Sequence, residues 1–297
     1  MAGIFLKWFC LVLVLLLFLG PLVAESVKSQ EKEKDLVERG QYLFALAGGC
    51  ACHTVRNGTP HVGGRAFPVP LGTIYSTNIT QDKEIGIGSW SEREIREAIV
   101  KGVRPNGERL LSVMPYDAYS GMAEEDLKAL IAYLRTLKPV RKENRAPKFW
   151  VPFYRQLLTP LWLKLFGCFS NSPAKAPKGG IERGRYLVEH VSLCGGCHTP
   201  RSFLGVPYRA LYLAGAKIGP LGHEIPNITP DKETGIGDWS RDDIVHFLLT
   251  GIKPDLDNAQ ALMAEVIKAG YKNMRREDAL AIADYLKSIP PIVNEIR

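Results

Sequence analysis

Apolar positions recur at helical spacing in four places along the chain, and the four fall into two matched pairs. Ile95, Ala98 and Ile99 make an i, i+3, i+4 face, and so do Ile244, Phe247 and Leu248. Each face is announced by a start signal: Ser91 with Glu94 reads as a capping box, and Ser240 with Asp243 as its shorter-armed counterpart. Further on, Leu127, Leu130, Ile131 and Leu134 form one stripe, and Ala279, Ile282, Ala283 and Leu286 form another. Both stripes end in Tyr-Leu, and prolines at 139, 290 and 291 stop the helices. No segment reads as a sustained alternating strand. The pattern predicts an all-α fold with long Gly- and Pro-rich loops between helices.

The pairing extends beyond the helices. Residues 78–91 face 227–240 with eleven of fourteen positions identical, and Glu38-Arg39-Gly40-Gln41-Tyr42-Leu43 faces Glu182-Arg183-Gly184-Arg185-Tyr186-Leu187. A chain of 297 residues suits two domains of about a hundred residues each. The repeat sets them at 36–140 and 179–292, joined by a linker over 141–178. That linker carries Phe149, Trp150, Phe153, Tyr154, Trp162 and Phe166 and is rich in proline. A flexible linker would be polar, so this one is expected to be ordered and packed between the domains. The alternative is that Trp162 to Phe169 docks on a membrane or a partner. Residues 1–26, with Lys7 ahead of an apolar run from Trp8 to Ala24, read as a signal peptide or N-terminal anchor.

Chemistry enters at Cys194-Gly195-Gly196-Cys197-His198. C-x-x-C-H is the attachment pattern of a covalent c-type haem. Two thiols three positions apart on a helical turn can each add across one haem vinyl group, and the next residue offers its imidazole to the iron. A zinc site would need a second ligand pair at zinc spacing, and none is at hand. A cytosolic redox dithiol would not follow an export signal. The other copy has Cys50-Ala51-Cys52-His53, one residue short, and the flanking matches put the deletion between the two cysteines. The loss moves one sulfur by up to a ~3.8 Å Cα step and turns it by ~100° on a helix. The expected outcome is a second haem with one thioether from Cys52. Strained attachment through both Cys50 and Cys52 and a haem-free domain are the alternatives.

A His-ligated haem iron needs a second axial ligand, and Met is a usual one. Met114 pairs with Met263 across the repeat, and Met122 pairs with Met274. Met122 and Met274 stand at the start of the terminal helices, where an apolar staple belongs. Met114 and Met263 are expected in the preceding loop, where the chain can cross the distal face, and are therefore the expected ligands beside His53 and His198. His61, His190, His223 and His246 do not recur in the other copy and are assigned surface or structural roles. Cys10 and Cys168 imply no disulfide framework. The net charge of +7 gathers in part at Lys138, Arg141, Lys142, Arg145 and Lys148, either a solvated linker or a patch that steers an acidic partner. No nucleic-acid motif is present.

These residues resemble a dihaem cytochrome c built of two class I cytochrome c domains. Asn-Ile-Thr-x-Asp at 78–82 and 227–231, Gly-Ile-Gly-x-Trp-Ser at 86–91 and 235–240, Met114-Pro115-Tyr116 and Met263-Ala264-Glu265-Val266 carry the resemblance. It is similar to the cytochrome subunits of membrane-bound alcohol, gluconate and related dehydrogenases. The resemblance implies two haems c and electron transfer from a quinol or periplasmic dehydrogenase to an oxidase or another cytochrome. It implies a periplasmic or periplasm-facing, membrane-anchored location, and an electron carrier rather than an enzyme. A dihaem peroxidase or thiosulfate-oxidising cytochrome that uses the irregular first site is the alternative.

Overall fold

The structure is a computed structural model that describes residues 28–49, 51–69, 72–149, 154–167, 169–219 and 222–296. The N-terminal segment 1–26, Cys50, Cys168, Trp150 and Phe153 lie outside the described residues. The first half opens with helix α1 over 28–46, then a 3₁₀ turn Ala51–His53. It continues through strands β1 (Ala66–Val69) and β2 (Gly72–Tyr75) to α2 (Glu92–Lys101), α3 (Tyr116–Tyr119) and α4 (Glu124–Arg135). Strand β3 (Lys148–Phe149) and α5 (Tyr154–Phe166) connect the halves. The second half holds α6 (Gly180–Tyr186), α7 (Cys194–His198), α8 (Arg241–Thr250), α9 (Ala261–Ala269) and α10 (Arg276–Ser288).

The amphipathic stripes become the core. Ile95, Ala98 and Ile99 of α2 are buried, as are Leu127, Leu130, Ile131 and Leu134 of α4 and Ala279, Ile282, Ala283 and Leu286 of α10. Both capping boxes form, with Ser91 accepting from the Glu94 amide and Ser240 from the Asp243 amide. α2 ends at Gly102 and α8 at Gly251, both left-handed. The first and last helices of each half cross at a glycine. A Cβ on Gly40 would lie 1.9 Å from the Ala129 carbonyl oxygen, and one on Gly184 would lie 1.8 Å from that of Ala281. Only glycine permits these crossings.

The expectation of no strand needs correction. β1 and β2 pair antiparallel with Phe67 opposite Ile74, and β3 adds to β2 with Thr73 opposite Lys148. The strands are two to four residues long and bury few side chains, so they leave no alternation for a period-two reading to find.

The two halves meet through a reciprocal clasp. Tyr186 donates to Asp126 at 2.6 Å, and Tyr42 donates to Asp278 at 2.7 Å. Each tyrosine oxygen also accepts from the backbone at the start of the other half's terminal helix: Ala123 N–H at 3.0 Å and Arg275 N–H at 3.1 Å. Each aspartate is held by an arginine of its own half, Arg39 on Asp126 at 2.7 Å and Arg183 on Asp278 at 2.9 Å. A tyrosine of one repeat thus caps a helix of the other, twice, in the manner of an isologous contact. The end of the connector is tied to the first half. Pro173 accepts from Glu124 N–H, Ser170 N–H donates to the Ser120 hydroxyl, and Phe169 stacks on Tyr116 at 6.0 Å. Among the described residues no helix is long and apolar enough to cross a membrane.

Candidate functional site

The second half presents its cysteine motif as one α-helical turn, α7. The chain enters it through Leu193 in the left-handed conformation, φ 56°. Gly49 takes the same role before Cys50, φ 57°. That match supports the alignment of Cys50 with Cys194, although Cys50 itself lies outside the described residues. A Cβ on Gly196 would meet nothing within 4 Å, so one side of the turn is open.

His198 is anchored by its Nδ1, 2.8 Å from the Pro226 carbonyl. A carbonyl only accepts, so Nδ1 carries the proton and Nε2 keeps its lone pair for a metal. His53 makes the same contact, with Nδ1 2.7 Å from the Thr77 carbonyl. Burial holds both imidazoles below the ordinary histidine range, against the opposing backbone bond, and so favours the neutral, ligating form. The loops that follow match bond for bond. Gly63 N–H donates to His53 O and Gly215 N–H to His198 O. Thr54 Oγ1 accepts from His61 N–H and Thr199 Oγ1 from Leu213 N–H, each at 3.1 Å. The missing residue therefore leaves the histidine scaffold intact and alters only the thiol turn, which is 3₁₀ at Ala51–His53 instead of α-helical.

Burial pushes the Cys194 thiol up to about 12 and the Cys197 thiol up to about 11, while Cys52 is exposed at the surface. Among the described residues no three His, Cys, Asp or Glu gather as a metal cluster. Two thiols three apart on an open helical turn, followed by a histidine pinned through Nδ1, fit a thioether-held haem. At the first site Cys52 and His53 fit a single attachment.

The methionines divide by burial. Met122 and Met274 are core residues, 0% and 5% exposed, just ahead of α4 and α10. Met114 is half-buried in the turn before α3, its N–H on Leu111 O and its carbonyl accepting from Tyr116 N–H. Met263 is not in a loop as expected: it lies in the first turn of α9 and packs against the core. The reason is composition. Ala-Leu-Met-Ala-Glu-Val-Ile-Lys-Ala contains mostly strong helix formers and no proline, whereas Met114 is followed by Pro115.

The two motifs adjoin. A Cβ on Gly49 would lie 2.6 Å from Ala269 O, and one on Gly48 would lie 3.2 Å from Val266, so the first cysteine turn rests on α9. Arg65 pairs with Glu265 across this contact, and the Cys52 charge adds to the burial that raises Cys197. Reciprocally, His190, just ahead of α7, shares its Nδ1 with Ala118 O of α3 at 2.8 Å. His61 is half-buried, its Nδ1 without a partner among the described residues and its ring edge-on to Phe44, while His223 and His246 are exposed. Sequence reasoning missed the Tyr–Asp–Arg clasp and the Arg65–Glu265 pair. The clasp had a signal, since Tyr42 and Tyr186 stand in the matched E-R-G-x-Y-L segments.

A family model described as Cytochrome c matches residues 37–138. The chain is 38% identical over 287 residues to the gluconate 2-dehydrogenase cytochrome c subunit of Pantoea cypripedii, covering 93% of this chain and 64% of that protein. It is 39% identical over 259 residues to the fructose dehydrogenase cytochrome subunit of Gluconobacter japonicus, covering 86% and 52%. A protein named Diheme cytochrome c-type from Cereibacter sphaeroides is 36% identical over 265 residues, covering 86% of each. The chain thus spans about half to two thirds of the length of the two dehydrogenase subunits.

Proposed function

The chain belongs to the cytochrome c family, and on that premise we propose that it is an exported dihaem c-type cytochrome made of two tandem class I domains. Cys194, Cys197, His198 and Met263 would hold the second haem. Cys52, His53 and Met114 would hold the first, with Cys50 either free or strained into a second thioether. The haem iron, when bound, supplies a one-electron couple whose potential the axial ligands tune. The chain's own part is to fix each imidazole through Nδ1 and to hold the two motifs against each other.

The observation that carries this reading is the equivalence of the His53–Thr77 and His198–Pro226 bonds, 2.7 and 2.8 Å, although the motif ahead of His53 is one residue shorter than the motif ahead of His198. A ligand-orienting bond kept at both sites supports two haem centres. A histidine and a methionine given to each iron would suit electron transfer rather than substrate binding, so the reading is of an electron carrier. The named relatives include gluconate and fructose dehydrogenase subunits, and a periplasmic dehydrogenase is the donor that this likeness favours, with an oxidase or another cytochrome as acceptor.

A spectroelectrochemical titration tests the reading. Two one-electron waves with low-spin ferric spectra at both sites are expected. A high-spin ferric component with peroxide turnover would replace the carrier by the enzymatic alternative at the first site.

A further inference from the structure

Helix α9 is gripped on two sides, and the two sides belong to different halves. At about 100° per residue, Glu265, Val266 and Ala269 share one face, and Met263 and Ile267 share another. The first face meets the first half. Val266 would lie 3.2 Å from a Cβ on Gly48, and Ala269 O would lie 2.6 Å from one on Gly49. At the helix end a Cβ on Gly270 would stand 1.9 Å from Ala45 O of α1. The second face meets the second half. Ile267 is buried and would lie 3.5 Å from a Cβ on Gly251, at the end of α8, and Met263 packs against the core. A helix pinned along one face has its opposite face fixed in rotation.

Arg65 is the polar pin. Its side chain is only 10% exposed, and its guanidinium pairs with Glu265. Its Nε donates to the Thr54 carbonyl at 3.0 Å, one residue past His53. Its N–H donates to the Ser76 hydroxyl at 3.0 Å, and Ser76 N–H donates back to Arg65 O at 2.9 Å. Ser76 directly precedes Thr77, whose carbonyl orients His53. One arginine thus ties both supports of the first histidine to the helix that carries Met263. The second half has no such device. Its sequence offset from the first grows from 145 at His53/His198 to 152 at Gly63/Gly215, and the seven added residues make a turn with Phe203-Leu204 exposed at its tip. Lys217, matched to Arg65 at the larger offset, stands exposed. The reciprocal contact, from His190 Nδ1 to Ala118, ends on a backbone carbonyl rather than on a carboxylate.

We infer that Arg65, a residue of the first half, is a positioning residue for the second site: through Glu265 it fixes the rotation of α9 about its own axis and with it the presentation of Met263. The inference rests on the reading of Met263 as distal ligand of the second haem. Met263 and Glu265 point about 160° apart around the helix, so the pair acts through the helix and leaves the methionine free to face its own half. The link makes the two sites mutually dependent, because whatever bias the first exerts on the second is returned in equal measure.

The test uses the full chain with the haem it carries. The readouts are the ring-current-shifted methyl resonance of a ligated methionine in the reduced protein, assigned to Met263 by its loss in M263A, and the potential of the second haem. R65Q and E265Q should each weaken that resonance several-fold and lower that potential, since methionine ligation raises it. The R65Q/E265Q double variant should do no more than either single change, the mark of one shared interaction. K217Q, at the matched position in the second half itself, should leave the resonance as it is. E265Q, at a side chain 30% exposed, supplies the same readouts if R65Q fails to fold. An unchanged resonance in R65Q and E265Q, even with stability lost in urea, overturns the inference and leaves the pair a structural contact. So does a double variant whose effect is the sum of the two. If M263A removes no resonance, the ligand assignment fails and takes the inference with it. If M263A removes it and the pair variants spare it, the inference alone fails.

Discussion

The two halves run one scaffold with two different thiol turns. Downstream of the histidines they agree hydrogen bond for hydrogen bond, through Thr54 and Thr199, Gly63 and Gly215, and the carbonyls of Thr77 and Pro226. Upstream they agree in the left-handed residue before the first cysteine, Gly49 and Leu193. Between those anchors one half has a five-residue α-turn and the other a three-residue 3₁₀ turn. The lesson is that the placing of the histidine and the spacing of the thiols are separable in this fold. The imidazole is positioned by a distant carbonyl, so a defect in the thiol spacing need not reach it.

The largest effects are expected at the motifs. His198→Ala and His53→Ala should each remove one low-spin haem signal and leave the other, read by absorbance per chain. Equal loss at both sites from either change would break the comparison. Inserting one glycine between Ala51 and Cys52 should sharpen it. The first site then gains the spacing of the second, and its reduced α-band should move to coincide with that of the second.

Next comes the clasp. Asp278→Ala leaves Arg183, with a side chain 13% exposed, without its partner and should cost about 3–5 kcal/mol in urea unfolding. Asp278 also sets an acid limit. Burial opposes its ionisation, but Arg183 and Tyr42 outweigh it and hold the carboxyl below the usual range. Its contribution is therefore present above the ordinary carboxylate range and is lost as pH falls through the depressed folded value. Asp278→Asn should flatten the acid limb of a stability–pH curve.

The methionines give a contrast of kind. Met122→Ala should cost about 2–5 kcal/mol by opening a core cavity, with the haem spectrum unchanged. Met114→Ala should change the spectrum at one haem with little loss of stability. The smallest effect is at Tyr42→Phe, about 1 kcal/mol by chemical denaturation, because Asp278 keeps Arg183.

Much of this was legible in sequence because it is local. Ser91–Glu94 and the Leu127–Leu134 stripe specify a cap and a face within one or two turns, and the repeat doubled each signal. The β1–β2–β3 sheet was not legible, since it is held by a pairing of Thr73 with Lys148, 75 residues away. The helix around Met263 was hidden by its partner in the repeat, where Pro115 breaks the same region. The clasp joins residues 236 and 60 positions apart, and nothing near Tyr42 names Asp278. The exposed Phe203-Leu204 tip was missed because the two residues are unremarkable until the turn is known to point outward.

The most direct measurement of the central claim is the haem content of the purified protein, by pyridine haemochrome absorbance against intact mass. Two haems per chain, one of them with the red-shifted band of a single thioether, is the result this account predicts. One haem per chain would mean that the His53 scaffold persists without its cofactor, and the two-centre carrier would be wrong.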